Sequence, residues 1–261
     1  MKIAVCIKQV PNTTEIKINP VTNTLIRDGV PSIINPDDKS ALEAALKIKE
    51  QVGATVAVLC MGPAQAEIAL REALAMGADE AYLISDRAFA GSDTLATSTI
   101  ISDALKLVGF DFIVAGRQAI DGDTAQVGPQ IAEHLGIPQI TYCAEFDYDA
   151  EKEYFRVKRQ FEDRYQILGV KSPALFTVLS GSIKPRYMNV RDIIAQDQKE
   201  ITVLTYADLK CNPDNIGLNG SPTKVKSTFT KQFNSDRQLV EAEPAEAAKI
   251  IAEQLKAKHI I

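Results

Sequence analysis

The chain has little of what a self-sufficient catalyst depends on. Its two histidines, His134 and His259, stand in different segments, so neither a Ser-His-Asp triad nor a histidine-built metal site is at hand. Four cysteines, Cys6, Cys60, Cys143 and Cys211, are far apart with no C-x-x-C pair, which excludes a thioredoxin-like motif and a zinc ribbon. Cys6 and Cys60 lie within apolar runs and read as small core residues. Charge of one sign never accumulates. Lys plus Arg is 29 against 34 for Asp plus Glu, a net −5, and no basic run supplies a nucleic-acid or anionic-membrane footprint. Apolar stretches stop at strand length, well short of the roughly 18 residues of a membrane span. Met1 to Lys8 turns into a strand too soon for a signal peptide, so the cytoplasm is the expected location. Neither G-x-G-x-x-G nor G-x-x-x-x-G-K-[ST] occurs. Chemistry performed here must come largely from a bound molecule.

What is present is a core-forming composition, 46% hydrophobic and 24% charged over 261 residues, enough for one large domain or a domain with an appendage. Apolar runs at 2–8, 55–61, 80–85, 111–116 and 138–145 are expected strands, and unbroken runs of this kind suit a parallel sheet covered on both faces. Helical patterns lie between them. Residues 38–52 put Ala41, Ala45, Ile48 and Val52 on one face; 64–76 end at Gly77 and 93–108 at Gly109. The span 123–135 places Val127, Ile131 and Leu135 together, with Asp123 as the expected N-cap and Gly136 beyond the end. The alternation predicts an α/β fold, a doubly wound, mostly parallel, Rossmann-like sheet with right-handed crossovers.

After about residue 145 the pattern changes. Residues 154–161 and 165–171 read as an antiparallel hairpin, followed by strands at Ala174–Leu179 and Ile201–Leu204. Between those strands, Lys184 to Ile194 is a loop and short helix. From Cys211 to about Arg237 periodicity is lost, and so long an irregular stretch is improbable inside a compact domain. An amphipathic helix, Pro244 to Lys258, then presents Ala247, Ile250, Ile251 and Leu255 on one side. The expected division is an α/β domain over 1–210 and an extended C-terminal arm over 211–261 that docks on another subunit.

Ligands of open α/β sheets bind at the carboxyl ends of the strands, where strand order reverses. Residues Gly116 to Gln130 follow the fourth strand. Gly116 and Gly122 let backbone approach a ligand, and the N–H groups of residues 124–126 are expected to open a helix suited to phosphate. A capped surface loop, with Asp123 merely holding the helix start, is the other reading. Asn35-Pro36-Asp37-Asp38 is either an N-capping turn or an adenosine contact. Thr94 and Thr97 share a face, either as simple caps or facing a heteroaromatic ring.

Assembled, these segments resemble the beta subunit of electron transfer flavoproteins. The carriers are Ile7-Lys8-Gln9-Val10-Pro11, Asn35-Pro36, Met61-Gly62-Pro63-Ala64-Gln65, Ala73 to Asp79, Gly116 to Gln130, the hairpin Val157-Lys158-Arg159 to Pro173-Ala174-Leu175, and Pro185-Arg186-Tyr187. The resemblance runs essentially end to end. One departure is the hairpin turn Glu162-Asp163-Arg164, where many members carry a glycine.

The resemblance implies a fold of the adenine-nucleotide-binding type and a heterodimer with an alpha subunit that carries an FAD. In the housekeeping branch the beta site holds AMP; in the electron-bifurcating branch it holds a second FAD that accepts hydride from NADH. Asp121-Gly122-Asp123-Thr124-Ala125-Gln126-Val127-Gly128-Pro129 is similar to the bifurcating branch, because housekeeping members tend to carry acidic and amide residues where Gly122, Ala125 and Val127 stand. Gly91 to Thr97 is similar to that branch too. Cofactor contacts are thereby implied for Cys6, Asn35, Asp38, Met61, Asp93, Thr94, Thr97, Gly116, Asp121, Gly122, Asp123, Thr124, Ala125, Gln126, Val127, Gly128 and Gln130. Partner contacts are implied for Tyr187 and for Val190, the apolar anchor of a recognition loop. Ile193 and Ile194 are expected to be buried on one helical face. The implied partners are the alpha subunit, an acyl-CoA dehydrogenase-type flavoenzyme, and ferredoxin or flavodoxin. An adenine-nucleotide sensor of the universal-stress-protein kind shares the fold, but a self-contained sensor needs no arm.

Overall fold

The computed structural model describes residues 1–12, 31–226 and 239–261. The chain divides into two compact units, Met1–Lys226 and Ser227–Ile261. The first contains strands β1 (Lys2–Ile7), β2 (Gln9–Pro11) and β3 (Ser32–Ile34), helix α1 (Pro36–Val52), β4 (Thr55–Met61), α2 (Glu67–Met76), β5 (Glu80–Ile84), α3 (Thr94–Val108), β6 (Phe112–Gly116) and α4 (Val127–Leu135). It continues through β7 (Gln139–Asp149), β8 (Tyr154–Gln160), β9 (Tyr165–Val170), β10 (Ala174–Val178), α5 (Val190–Ala195), β11 (Ile201–Leu204) and the short turns of helix α6 (Tyr206–Leu209) and α7 (Gly217–Gly220). The second unit holds α8 (Pro244–Ala257).

Among the described residues the sheet has nine strands in the order β11-β5-β4-β1-β6-β10-β7-β8-β9, with β2 and β3 forming a separate antiparallel pair. All pairings from β11 to β7 are parallel, and only the β7–β8 and β8–β9 contacts are antiparallel. The doubly wound α/β expectation is met. Apolar runs make it so: on β1, Ile3, Val5 and Ile7 enter a core shared with α1 and α2, while Ala4 and Cys6 enter the opposite core beneath α3 and α4. A strand buried on both faces has no polar side to expose, which is why its sequence does not alternate.

The hairpin also forms as expected, and the chain then returns to insert β10 between β6 and β7. Aromatic rings weld this addition to the parallel sheet. Phe112 of β6 lies 4.4 Å from Phe155 of β8, which is 5.0 Å from Phe176 of β10, in edge-on and tilted arrangements that ring quadrupoles favour. The aperiodic segment beyond Cys211 does not leave the first unit at once. Cys211, Ile216 and Ser221 are buried in it, and Gly217, at φ +63°, lies so close to the Ala88 carbonyl that no side chain fits. Among the described residues, no helix is long and apolar enough to cross a membrane.

Candidate functional site

Strand β1 is flanked by β4 on one side and β6 on the other, so the chain order reverses between β1 and β6. The carboxyl ends of these two strands open the crevice where such sheets bind ligands. One turn fastens its floor. Asn35 donates through Nδ2 to the Gln118 carbonyl at 2.8 Å and accepts from the Ile120 N–H at 3.0 Å. Asp38 accepts from the Lys8 N–H at 2.8 Å, beyond β1, and from the Gly116 N–H at 3.0 Å, at the end of β6. Asp37 accepts from the Ser180 N–H at 3.1 Å, beyond β10, and pairs with Arg117 at 3.4 Å. All three side chains are buried. The N-capping reading of this turn does not hold for the Asn35 side chain: it makes no bond into its own helix, and its polar atoms tie loops together.

Burial pushes the Asp38 carboxyl up to about 7, against the lowering effect of its bonds from Lys8, Asn35 and Gly116. A carboxyl whose folded value exceeds its ordinary 3.8 contributes stability that is complete below that pH and lost as pH rises through about 7. Between pH 5 and pH 8 the wild-type protein is therefore expected to lose about 2 kcal/mol more stability than Asp38→Asn, other titrations cancelling in the difference. Urea midpoints of both proteins at the two pH values measure this. Parallel profiles would show that Asp38 does not titrate there.

The loop after β6 departs from expectation in one respect. Helix α4 starts at Val127 with Gln126 in the capping position, three residues later than the sequence suggests. Asp123 is not its cap, because its backbone is left-handed, φ +53°, as is that of Ala125. The Asp123 carboxylate accepts instead from the Gln118 amide. Two left-handed residues break a helix before it begins, so residues 124–126 form a loop, a cradle leading into α4. Among the described residues, no protein group accepts from the backbone N–H of Thr124, Ala125, Gln126, Val127 or Gly128. A row of free donors ending at a helix N-terminus is what a phosphate requires. Among the described residues, Gln130 Oε1 is buried with no partner, and no atom lies within 4 Å of a Cβ built on Gly122. These features fit a bound nucleotide, with open room beside Gly122.

The other expected residues divide. Thr94 donates to Gln126 Oε1 at 3.0 Å, bringing the α3 and α4 starts together at the crevice mouth. Thr97 is half-buried one turn further on, and Met61 is half-buried where β4 ends. Gly116 and Gly128 serve packing: a Cβ on Gly116 would overlap the Asp38 carboxylate, and one on Gly128 would stand 2.7 Å from Thr177. Cys6 is buried with its thiol pushed up to about 12 by desolvation, which leaves it inert. Asp93 caps α3 through the Leu95 and Ala96 N–H groups and takes the Thr223 N–H and hydroxyl on its other oxygen. Asp121 pairs with Lys8 at 2.7 Å across the mouth. Sequence reasoning missed the clamping role of Asp37 and this Lys8 pair. The doubled Asp37-Asp38 after Asn-Pro was the visible sign of the first.

Tyr187 and Val190 lie outside the crevice, on the surface where α5 packs against α2. They are 91% and 73% exposed. The burial expected for Ile193 and Ile194 is not found, for Ile194 is 70% exposed and α5 buries no residue. A helix of six residues pinned by its carboxyl end, where Arg71 of α2 bonds the Gln196 and Lys199 carbonyls, has no room to turn these side chains inward.

Comparison with known proteins gives a consistent result. Residues 22–209 match the electron transfer flavoprotein domain. Over the full length of both chains, the sequence is 51% identical to an electron transfer flavoprotein subunit beta of Clostridium acetobutylicum and 52% identical to one of Thermoanaerobacterium thermosaccharolyticum. It is 48% identical, again over both full lengths, to CarD, a subunit of the caffeyl-CoA reductase–Etf complex of Acetobacterium woodii.

Proposed function

The chain belongs to the electron transfer flavoprotein beta-subunit family, and from that membership we propose that it is the beta subunit of an NADH-dependent, electron-bifurcating complex with FAD in the crevice described above. The observation that carries the reading is the cradle of free N–H groups from Thr124 to Gly128 beside the open space at Gly122. It offers donors for a pyrophosphate, and Gly122 brings no side chain that would crowd a larger nucleotide. The similarity to a subunit named for a caffeyl-CoA reductase–Etf complex supports work with a CoA-ester reductase or dehydrogenase.

Bound there, FAD would supply hydride acceptance from NADH and one-electron delivery to ferredoxin or flavodoxin and, through the FAD of the alpha subunit, to an acyl-CoA dehydrogenase-type partner. The chain's own residues bind and orient. The 124–128 backbone donates to phosphate oxygens, and Gln130 offers a buried amide. Thr94 and Thr97 face the crevice from α3, while the Asn35–Asp38 turn holds the strand-end loops in place. No side chain acts as acid, base or nucleophile in this reading. The chain beyond residue 226, with helix α8, is the arm that engages the alpha subunit, and the complex works in the cytoplasm. The exposed Tyr187 and Val190 surface receives the dehydrogenase.

Nucleotide extraction from the purified alpha–beta complex tests the proposal. Two FAD per complex are expected. One FAD with AMP would instead assign the chain to the housekeeping branch.

A further inference from the structure

The surface around Tyr187 is held in an unusual way. Arg186, the residue before it, reaches Glu43 in the middle of α1. The guanidinium donates to both Glu43 oxygens, through Nε at 2.8 Å and through its second terminal nitrogen at 3.0 Å, and the Arg186 backbone N–H donates to the same carboxylate at 3.0 Å. The remaining terminal nitrogen pairs with Glu50, about two turns further along the same face of the helix. The Glu43 side chain is only 4% exposed, and every hydrogen bond it accepts among the described residues comes from Arg186. These bonds hold the Arg186 guanidinium firmly protonated.

An ion pair on a buried carboxylate often adds little net stability over apolar side chains of the same volume. What it fixes is geometry: a fork on a carboxylate sets the direction of Arg186 and, through the backbone N–H, that of the peptide leading to Tyr187. At the other end of the segment, Arg71 holds the carbonyls of Gln196 and Lys199. Between the two anchors stand Tyr187, Val190 and Ile194, all largely exposed. Apolar side chains on a short segment bind well only if their positions are set beforehand, because ordering them during association costs affinity.

We infer that Glu43 is a positioning residue, presenting the Tyr187–Ile194 surface to the flavin dehydrogenase through Arg186. The inference rests on the proposal that this surface receives the dehydrogenase. In Glu43→Gln the amide nitrogen meets the guanidinium donor to donor, so the fork is lost at nearly constant volume.

The test uses the complete alpha–beta complex and three kinetic readouts: the KM for the dehydrogenase, kcat at saturating dehydrogenase, and the rate of NADH oxidation by an artificial dye. Glu43→Gln is expected to raise the KM on the order of tenfold while kcat and dye reduction stay within about twofold. Val190→Asp, placed on the surface itself, should raise the KM as well. An unchanged KM in Glu43→Gln beside a raised KM in Val190→Asp overturns the positioning role and leaves the docking reading standing. An unchanged KM in both removes the docking reading too. Loss of dye reduction in parallel with the KM effect would mean general damage and would also overturn the inference. If Glu43→Gln yields no complex, Arg186→Lys, which keeps the charge but loses the fork, is read by the same rates and the same criteria.

Discussion

An alpha–beta complex carrying Gly122→Asp and Ala125→Asn is expected to purify with one FAD in place of two, and its NADH-driven electron transfer to fall by roughly a hundredfold or more. The substitutions act where the crevice has free space and free donors. A Cβ at Gly122 meets no atom within 4 Å, so the new carboxylate fits the folded chain but occupies room a dinucleotide needs. It also brings a fixed negative charge to the row of N–H groups from Thr124 to Gly128, in competition with a pyrophosphate. Ala125 is left-handed at φ +53°, a conformation asparagine adopts more readily than alanine, so the backbone is not strained. Neither side chain joins the clamps made by Asn35, Asp37 and Asp38. Circular dichroism and the melting temperature should therefore stay close to wild type. On the proposed reading the alpha FAD would remain, its site lying in the other subunit. Retention of two FAD would show that the beta flavin does not lie beside Gly122.

The second large effect is expected from removing residues 227–261. The cut falls after Thr223, whose bonds to Asp93 secure the last segment of the first unit, so that unit keeps its own contacts. Helix α8 is a different case. Fourteen residues of helix are marginal alone in water, and Ala247, Ile250, Ile251 and Leu255 form an apolar stripe that a single helix has no second layer to cover. Docking on the alpha subunit would supply that layer. Recovery of alpha subunit with the shortened chain is expected to fall by more than about tenfold, with the melting temperature of the remaining unit within a few degrees of its starting value. Undiminished co-purification would refute a docking role for the arm.

The architecture was legible because strands buried on both faces and helices ending in glycine leave unmistakable patterns. Every strand of the parallel sheet was marked by its apolar run, and Gly136, left-handed just beyond α4, ended its helix as expected. The insertion of β10 between β6 and β7 was not legible, since nothing in Ala174–Val178 names its neighbours; Phe112, Phe155 and Phe176 decide that in three dimensions. In the crevice, segment Gly116 to Gln130 stood out by its glycines, but the start of α4 was misplaced because Asp123 has the chemistry of a cap and the wrong backbone. Asp37 and Asp38 showed the converse. Side chains typical of a helix start were spent on strand-end loops from three parts of the chain, and such long-range bonds leave no periodic trace. Ile193 and Ile194 had the spacing of a buried face, but a six-residue helix was too short to enclose them.

The turn from Asn35 to Asp38 has a further consequence, one for the entropy of binding. Its bonds to Lys8, Gly116, Gln118, Ile120 and Ser180 are made within the protein, with no ligand required. The loops they restrain have already given up their conformational freedom when the chain folds, a loss of about 1–2 kcal/mol per residue fixed that association would otherwise have to offset. Nucleotide thus enters a floor that is already shaped, and the free energy of its phosphate contacts goes into affinity instead of into ordering the site.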